Sequence, residues 1–363
     1  MRGLTFHGNG DVRIEEVADA AIEDAADAIV RVEAAAVCGS DLHIFNLGEA
    51  FGFTPGSRLG HEFVGVVEEV GPEVTGFAPG DRVLSSVSVA CGECPACREG
   101  LSSSCERWSL FGWAPRTWRH GGAVQGAQSE YVRVPLADTT LHRIPESLSD
   151  PDRIMSLLPI VDVMSTGWHG LTRARTHAGE AVVVIGDGAV GLAAVHGAKA
   201  KGADAVICLG HHADRLATAR QLGASGVIES RDPDEIRQLV REQTRGQGVH
   251  VVVDTISGAE SMAAAHACVR AGGTIACLGM DHFTGHTPAL DWRDQFLRNI
   301  SVTGGLVPGR AYFEELLNLA ERGVIDPAPM ISHVLRLEDA SEAYRLMAER
   351  VQGVTKVALR PGM

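Results

Sequence analysis

The sequence predicts an α/β protein of two domains, one β-rich and one built on a doubly wound parallel sheet. Three observations carry the prediction. The chain has 363 residues, the length of two ordinary domains, and 45% of them are hydrophobic, enough to fill two cores. Near residue 160 the pattern changes from short apolar runs set between turn signals to a regular alternation of apolar strands and helical stretches. At that change a G-x-G-x-x-G motif follows one of the apolar strands.

The first 150 residues contain EFVGVVEEVG, the turn FAPGDRV and YVRVPLAD, short strands separated by glycine and proline. Gly is abundant, at 42 residues, as tight turns in a loop-rich β part require. AVVVI (181–185) is a continuous apolar strand, followed by a helix through AVGLAAVHGAKAKG and a strand AVICLG (205–210). Next come a helix RLATARQLGA, a strand GVIES, a helix DEIRQLVREQT, a strand HVVVD, a helix through ESMAAAHACVRAGG and a strand TIACLG. Strands apolar on both faces belong to a parallel sheet covered by helices on each side. NISVTGG (299–305) is expected to end that sheet. The amphipathic helices FEELLNLAERG and ASEAYRLMAER and the strand TKVALR are expected to rejoin the β-rich part. The predicted boundaries are therefore 1–162 with 306–363 for one domain, and 163–305 for the other, inserted within it.

Gly186, Gly188 and Gly191 supply the tight turn, the close approach of backbone to a pyrophosphate and the close helix–strand packing of a dinucleotide site. Ala189 and Val190 begin the helix whose free N–H groups face the phosphates. The end of the next strand is where a carboxylate grips the adenosine ribose of NAD. That position holds Gly210, followed by His211 and His212, with Arg215 nearby; Asp204 is at the wrong end of the strand and Asp214 is several residues into the turn. With no acid at the strand end, and with His211, His212 and Arg215 available as donors to a 2′-phosphate, NADP is expected to be preferred. The alternative is a solvated turn with NAD bound less selectively. Leu278, at the end of TIACLG, is placed among the cofactor contacts.

The formal net charge of −14 argues against nucleic acid as a partner. The N-terminus has no apolar core of signal-peptide length, and the longest apolar stretch, 181–198, is interrupted by Gly, Asp and His, so neither export nor membrane insertion is expected and the compartment is taken as cytoplasmic. Eight cysteines in such a chain point to thiols and metal ligands rather than disulfides. Cys208, Cys268 and Cys277 lie in apolar surroundings and read as buried small hydrophobes. Cys91, Cys94, Cys97 and Cys105 form C-x2-C-x2-C-x7-C in a Gly/Ser-rich loop, a spacing that lets four thiolates close on one tetrahedral zinc. A closed site of that kind is structural.

Cys38, in CGSDLH (38–43), and His61, in GHEFVGVVEEVG (60–71), are each ambiguous alone. Together with the four-cysteine lobe, DVMSTGWH (162–169) and GDGAVG (186–191), they make the chain resemble the zinc-dependent medium-chain alcohol dehydrogenase family, the five motifs standing in the family's order. The resemblance implies a GroES-like catalytic domain with a structural-zinc lobe at 91–105, a Rossmann cofactor domain, two zinc ions per chain, and hydride transfer between a nicotinamide cofactor and an alcohol, aldehyde or ketone. It implies that Cys38, His61 and Asp162 hold the catalytic zinc. Asp162 stands where many members have cysteine, and an Asp oxygen is an ordinary zinc ligand. By the same resemblance Ser40 and His43 relay the proton and Thr166 packs on the nicotinamide. Glu62 either approaches the zinc or pairs with a nearby arginine, and Asp41 is a candidate to orient His61 through its other ring nitrogen. The family also implies a homodimer or homotetramer.

The substrate is not legible. Trp108, Phe111, Trp113 and Trp118 are expected to line a substrate pocket or a subunit contact, as are Phe45, Leu47, Phe51 and Phe53. Arg116, Arg119 and His120 read either as contacts to an anionic substrate or as a solvated loop. The alternatives are an NAD-dependent polyol, threonine-type or formaldehyde-type dehydrogenase and, from another class, a non-catalytic cofactor-binding protein.

Overall fold

A computed structural model of the chain describes residues 1–113, 124–150, 153–281 and 290–362. Trp118, Arg116, Arg119 and His120 lie outside the described residues. The polypeptide forms two compact units, Met1–Asp162 with Pro308–Met363, and Val163–Val307.

In the first unit the strand Ala28–Val37 is the hub. It pairs antiparallel with Glu62–Val70, with Tyr131–Val134 and with the last strand, Val357–Arg360, so strands from both segments of the unit share one sheet. Its sequence, AIVRVEAAAV, puts small and β-branched side chains on a buried surface. Around it lies a core that includes Phe63 and Phe111, whose rings meet edge to face at 5.3 Å. A second cluster joins Phe6, Ile44 and Phe53 to Tyr344 of the helix Ala340–Ala348.

The aromatic run expected at a pocket wall is mostly core. Phe111 is buried against Phe63, Trp108 packs with Cys94 and Cys105, and Trp113 lies against Phe51 and Phe53. Large rings gain much from such burial, while Trp113, Phe45 and Phe51 remain half-buried.

The second unit is a six-stranded parallel sheet. From one edge to the other its strands are Gly226–Ile228, Ala205–Leu209, Ala181–Ile185, Val249–Asp254, Val269–Cys277 and Ser301–Gly304. Period-2 alternation splits the apolar strands between two cores. Val182, Val184, Val206 and Val253 pack with Leu171 and Leu192 on one face, while Val183, Ile185, Ile207 and Val252 pack with Ile236 and Met262 on the other. Cys208 and Cys268 are buried there, and burial pushes both thiols up to about 12, as small core residues require. One boundary differs from the sequence reading. The helix that begins at Ala259 stops at Cys268, and VRAGG already belongs to the next strand. Val269, at φ −68° and ψ 139°, is already extended and ends the helix.

Among the described residues no helix is long and apolar enough to cross a membrane. Leu192 is fully buried in the parallel-sheet unit. Leu192→Ala is expected to cost ~2–5 kcal/mol through the cavity it leaves, read as a lower urea midpoint at unchanged slope.

Candidate metal and cofactor sites

Cys38 closes the hub strand and is the extended residue that starts the helix Gly39–Leu47. Its backbone N–H donates to Asp41 Oδ2 at 3.0 Å, which ties the turn and fixes where the thiol stands. His61 precedes the strand Glu62–Val70. Gly60, at φ +95°, makes the turn that delivers it, and a side chain there would collide with Gln128. Asp162 comes from a π-helical turn, Ile160–Met164, whose widened geometry turns the carboxylate out of the regular helical rows.

These three residues, distant in sequence, meet within the first unit. Cys38 Sγ donates to Asp162 Oδ2 at 3.3 Å, and His61 Nε2 lies 3.6 Å from the same oxygen. With Glu62, their ligand atoms all fall within 4.8 Å of one another. Ser40 Oγ is 3.4 Å from His61 Nε2. His43 lies one turn further along the same helix and is half-buried. The other ring nitrogen, His61 Nδ1, is 3.2 Å from Asp41 Oδ1.

Asp41 is itself held, and the residues that hold it are ones the sequence reading missed. Gln128 Nε2 donates to Asp41 Oδ2 at 3.2 Å and to the Ala36 carbonyl at 2.9 Å, and the Tyr344 hydroxyl donates to Gln128 Oε1 at 2.9 Å. All three side chains are at most 1% exposed. Nothing in the sequence marks Gln128 or Tyr344, because their importance comes only from the fold that stacks them behind Asp41.

Glu62 is fully buried, and Lys356, just before the last strand, lies 2.7 and 2.6 Å from its two oxygens. The pairing foreseen for Glu62 is present, with a lysine in place of the arginine. The carboxylate still belongs to the same 4.8 Å group.

The electrostatics follow from burial. Burial, with Asp162 alongside, pushes the Cys38 thiol up to about 11. Burial opposes a charge on His61, but the carboxylates of Asp41 and Asp162 outweigh it and raise the imidazole well above its usual range. Burial also raises Glu62, to about 7, against the pull of Lys356. Asp162 stays far below the carboxylate range, because His61 outweighs its desolvation. The group thus carries three carboxylates against one lysine and one histidine. Sulfur, nitrogen and oxygen donors in that charge state fit a divalent zinc, which would take up the thiolate and release protons from Cys38 and His61.

Cys91, Cys94, Cys97 and Cys105 also fall within 4.8 Å of one another, with Cys105 Sγ 3.5 Å and Cys97 Sγ 4.0 Å from Cys91 Sγ. Those spacings are too long for disulfides and near the ~3.8 Å of thiolates on one tetrahedral zinc. Backbone N–H groups of Cys91 and Arg107 donate to Cys105 Sγ, each at 3.2 Å. Such donors stabilise thiolates.

In the parallel-sheet unit Gly186, at φ +106°, ends the strand Ala181–Ile185. Gly188 starts the helix Ala189–Ala200, and a Cβ on it would meet nothing, leaving an open approach. A Cβ on Gly191 would run into the Gly186 carbonyl. The loop therefore has the bare, close-approach surface a pyrophosphate needs, with Ala189 and Val190 in the first turn behind it. Thr166 lies half-buried on the helix Ser165–Arg173, and Leu278 packs against Gly170 of that helix.

The strand end at Gly210 corrects one expectation. An acid does stand there, delivered by the glycine loop. Asp187 Oδ2 accepts the backbone N–H groups of His211 and His212 at 2.7 and 2.8 Å. His212 Nδ1 is 3.0 Å from that oxygen, and Arg215 Nη1 is 3.8 Å from Asp187 Oδ1. The signal was the middle letter of GDG, whose side chain points toward the neighbouring strand.

Residues 24–146 match the alcohol dehydrogenase GroES-like domain, and residues 189–322 match the zinc-binding dehydrogenase domain. An uncharacterised zinc-type alcohol dehydrogenase-like protein of Bacillus subtilis is 33% identical over 392 residues, covering 99% of this chain and 100% of that protein. The NADP-dependent isopropanol dehydrogenase of Thermoanaerobacter brockii is 33% identical over 334 residues, 90% of this chain and 91% of its own. The structure of an alcohol dehydrogenase from Thermus sp. ATN1 superposes with a TM-score of 0.91 at 33% identity, covering 99% and 100% of the two chains.

Two substitutions test the supporting contacts. Cys97→Ser is expected to remove one zinc per chain by elemental analysis and to lower the melting temperature. Lys356→Met strands a buried carboxylate and is expected to cost ~3–5 kcal/mol, largely recovered when Glu62→Gln is added, as read by urea unfolding of both variants.

Proposed function

Because the chain belongs to the zinc-type medium-chain alcohol dehydrogenase family, with its GroES-like and Rossmann-type domains, we propose that it is an NADP-preferring oxidoreductase acting on a small alcohol and its aldehyde or ketone. The observation that carries the reading is the meeting of Cys38, His61 and Asp162, from three separate parts of the chain, in one buried group. A cofactor-binding protein without catalysis has no physical need for such a three-donor set.

Cys38, His61 and Asp162 would hold the catalytic zinc, and Cys91, Cys94, Cys97 and Cys105 a structural one. Bound zinc supplies a Lewis acid for the substrate oxygen, and the nicotinamide ring supplies or accepts the hydride. The chain's own residues do the rest. Asp41 fixes the His61 ring so that Nε2 faces the site. Ser40 Oγ, beside Nε2, would accept the substrate hydroxyl's proton as it gives up its own, which passes on to His43, one turn along the helix, and from there to water, a task suited to an imidazole near neutrality. In reduction the proton runs back through the same two groups. Lys356 neutralises Glu62 and keeps a further charge from competing for the site. Thr166, Gly186, Gly188, Ala189, Val190, Gly191 and Leu278 would contact the dinucleotide. Gly210, His211, His212 and Arg215 would receive its adenosine end, their donors favouring NADP. A second reading, an NAD-dependent dehydrogenase of the polyol, threonine or formaldehyde type, is favoured by one observation: the Asp187 carboxylate stands among those donors. The protein is read as cytoplasmic and as a homodimer or homotetramer.

Asp162→Ala is expected to lose one zinc and to lower turnover by at least about a hundredfold, the upper end of what loss of a mere supporting contact costs, with the fold and the other zinc retained. A screen of alcohols, aldehydes and polyols with both nicotinamide cofactors, read at the absorbance of the reduced ring, measures it. Full turnover in the variant, or wild-type protein that binds only one zinc, would remove the proposal.

A further inference from the structure

We propose that Asp187 is an internal anion that sets the choice between NAD and NADP from within the glycine loop. The inference rests on the reading of that loop as a dinucleotide site. In a sheet of this kind the adenosine ribose is held where the strand after the glycine loop ends, and discrimination is ordinarily made by the residue at that strand end. Here the strand end is Gly210, and a Cβ on it would lie 2.5 Å from Asp187 Oδ2. The side chain that occupies the place therefore belongs to the preceding loop.

What Asp187 occupies is the start of the helix Ala213–Gln221, whose first residues follow the His212 cap. The N-terminus of a helix carries free N–H groups and a positive potential, and it is a ready site for a phosphate. Here the His211 and His212 N–H groups already donate to Asp187, the His212 ring lies against both its oxygens, and Arg215 faces it. The Asp187 side chain is 8% exposed. It is a built-in tenant of the turn, and solvent does not loosen it.

The consequence is asymmetric. A 2′-phosphate entering this turn meets a carboxylate and finds two backbone donors taken. A ribose 2′-hydroxyl brings no charge, so the same carboxylate costs it nothing in repulsion. His211, His212 and Arg215 pull toward NADP and Asp187 pulls back. Asp187 thus acts as a positioning residue for the turn and as a specificity residue set against those donors, and its removal shifts the balance further toward the 2′-phosphate.

The test uses the zinc-loaded full-length protein, and binding rather than turnover. Calorimetric dissociation constants for adenosine 2′,5′-bisphosphate and adenosine 5′-monophosphate are measured for wild type, Asp187→Asn and Asp187→Ser, with thermal melting alongside. The ratio of the two constants is expected to move toward the bisphosphate by at least about tenfold in both variants, the scale of one like charge removed at a few ångströms near a protein surface. An unchanged ratio in folded variants, or equal loss of both nucleotides, would assign Asp187 a purely structural part and overturn the inference. Binding of neither nucleotide by wild type would instead remove the dinucleotide reading, and this inference with it.

Discussion

Surplus negative charge in a dry interior is the constraint around which the first unit is organised. Asp41 and Glu62 are buried in a β-rich unit, where an isolated carboxylate is strongly unfavourable, and the partly exposed Asp162 and a thiol adjoin them. Each acid is answered differently. Asp41 is met by Gln128, a backbone N–H and the His61 ring; Glu62 is met by a buried lysine; Asp162 is met by His61 and Cys38. Glu62 has a lysine as its fixed cation, Asp41 and Asp162 share the His61 ring, and Asp162 also accepts from the Cys38 sulfur. That difference separates the carboxylates that support the site from the one expected to bind metal.

The fold was largely legible because the parallel sheet depends on patterns local in sequence. Runs such as AVVVI and AVICL have to be strands buried on both faces, and GDGAVG has to turn into a helix. The one misread boundary, at VRAGG, shows where local propensity is weak: a valine and two glycines end a helix and start a strand without any capping residue to mark the change. The four cysteines were legible for the same reason, since their spacing brings them together whatever surrounds them.

The metal group was legible only through motifs, and its supports were not legible at all. Cys38, His61 and Asp162 are separated by long stretches of chain, and physics alone does not pair them from sequence. Gln128, Tyr344 and Lys356 have ordinary surroundings in sequence and acquire meaning from register: the pairing of Val357 with Val37 and of Ala36 with Glu62 is what brings Lys356 opposite a buried acid. Asp187 is a case of the opposite kind. Its letter stands inside a recognised motif, and it reaches the strand end from the neighbouring loop rather than along the strand.

The pairing of the final strand with the hub strand also bears on how the molecule is made. Synthesis runs from the N-terminus, so the hub and Glu62 emerge before Lys356, which follows the whole parallel-sheet unit. Until then the nascent sheet has an unpaired edge and a carboxyl group without its lysine, a state in which that group is better kept protonated or wet than buried. The inserted unit, whose strands all come from the one stretch Val163–Val307, can finish folding on the ribosome first. The half that holds the buried acids is thus the part that must wait for the strand Val357–Arg360 to emerge.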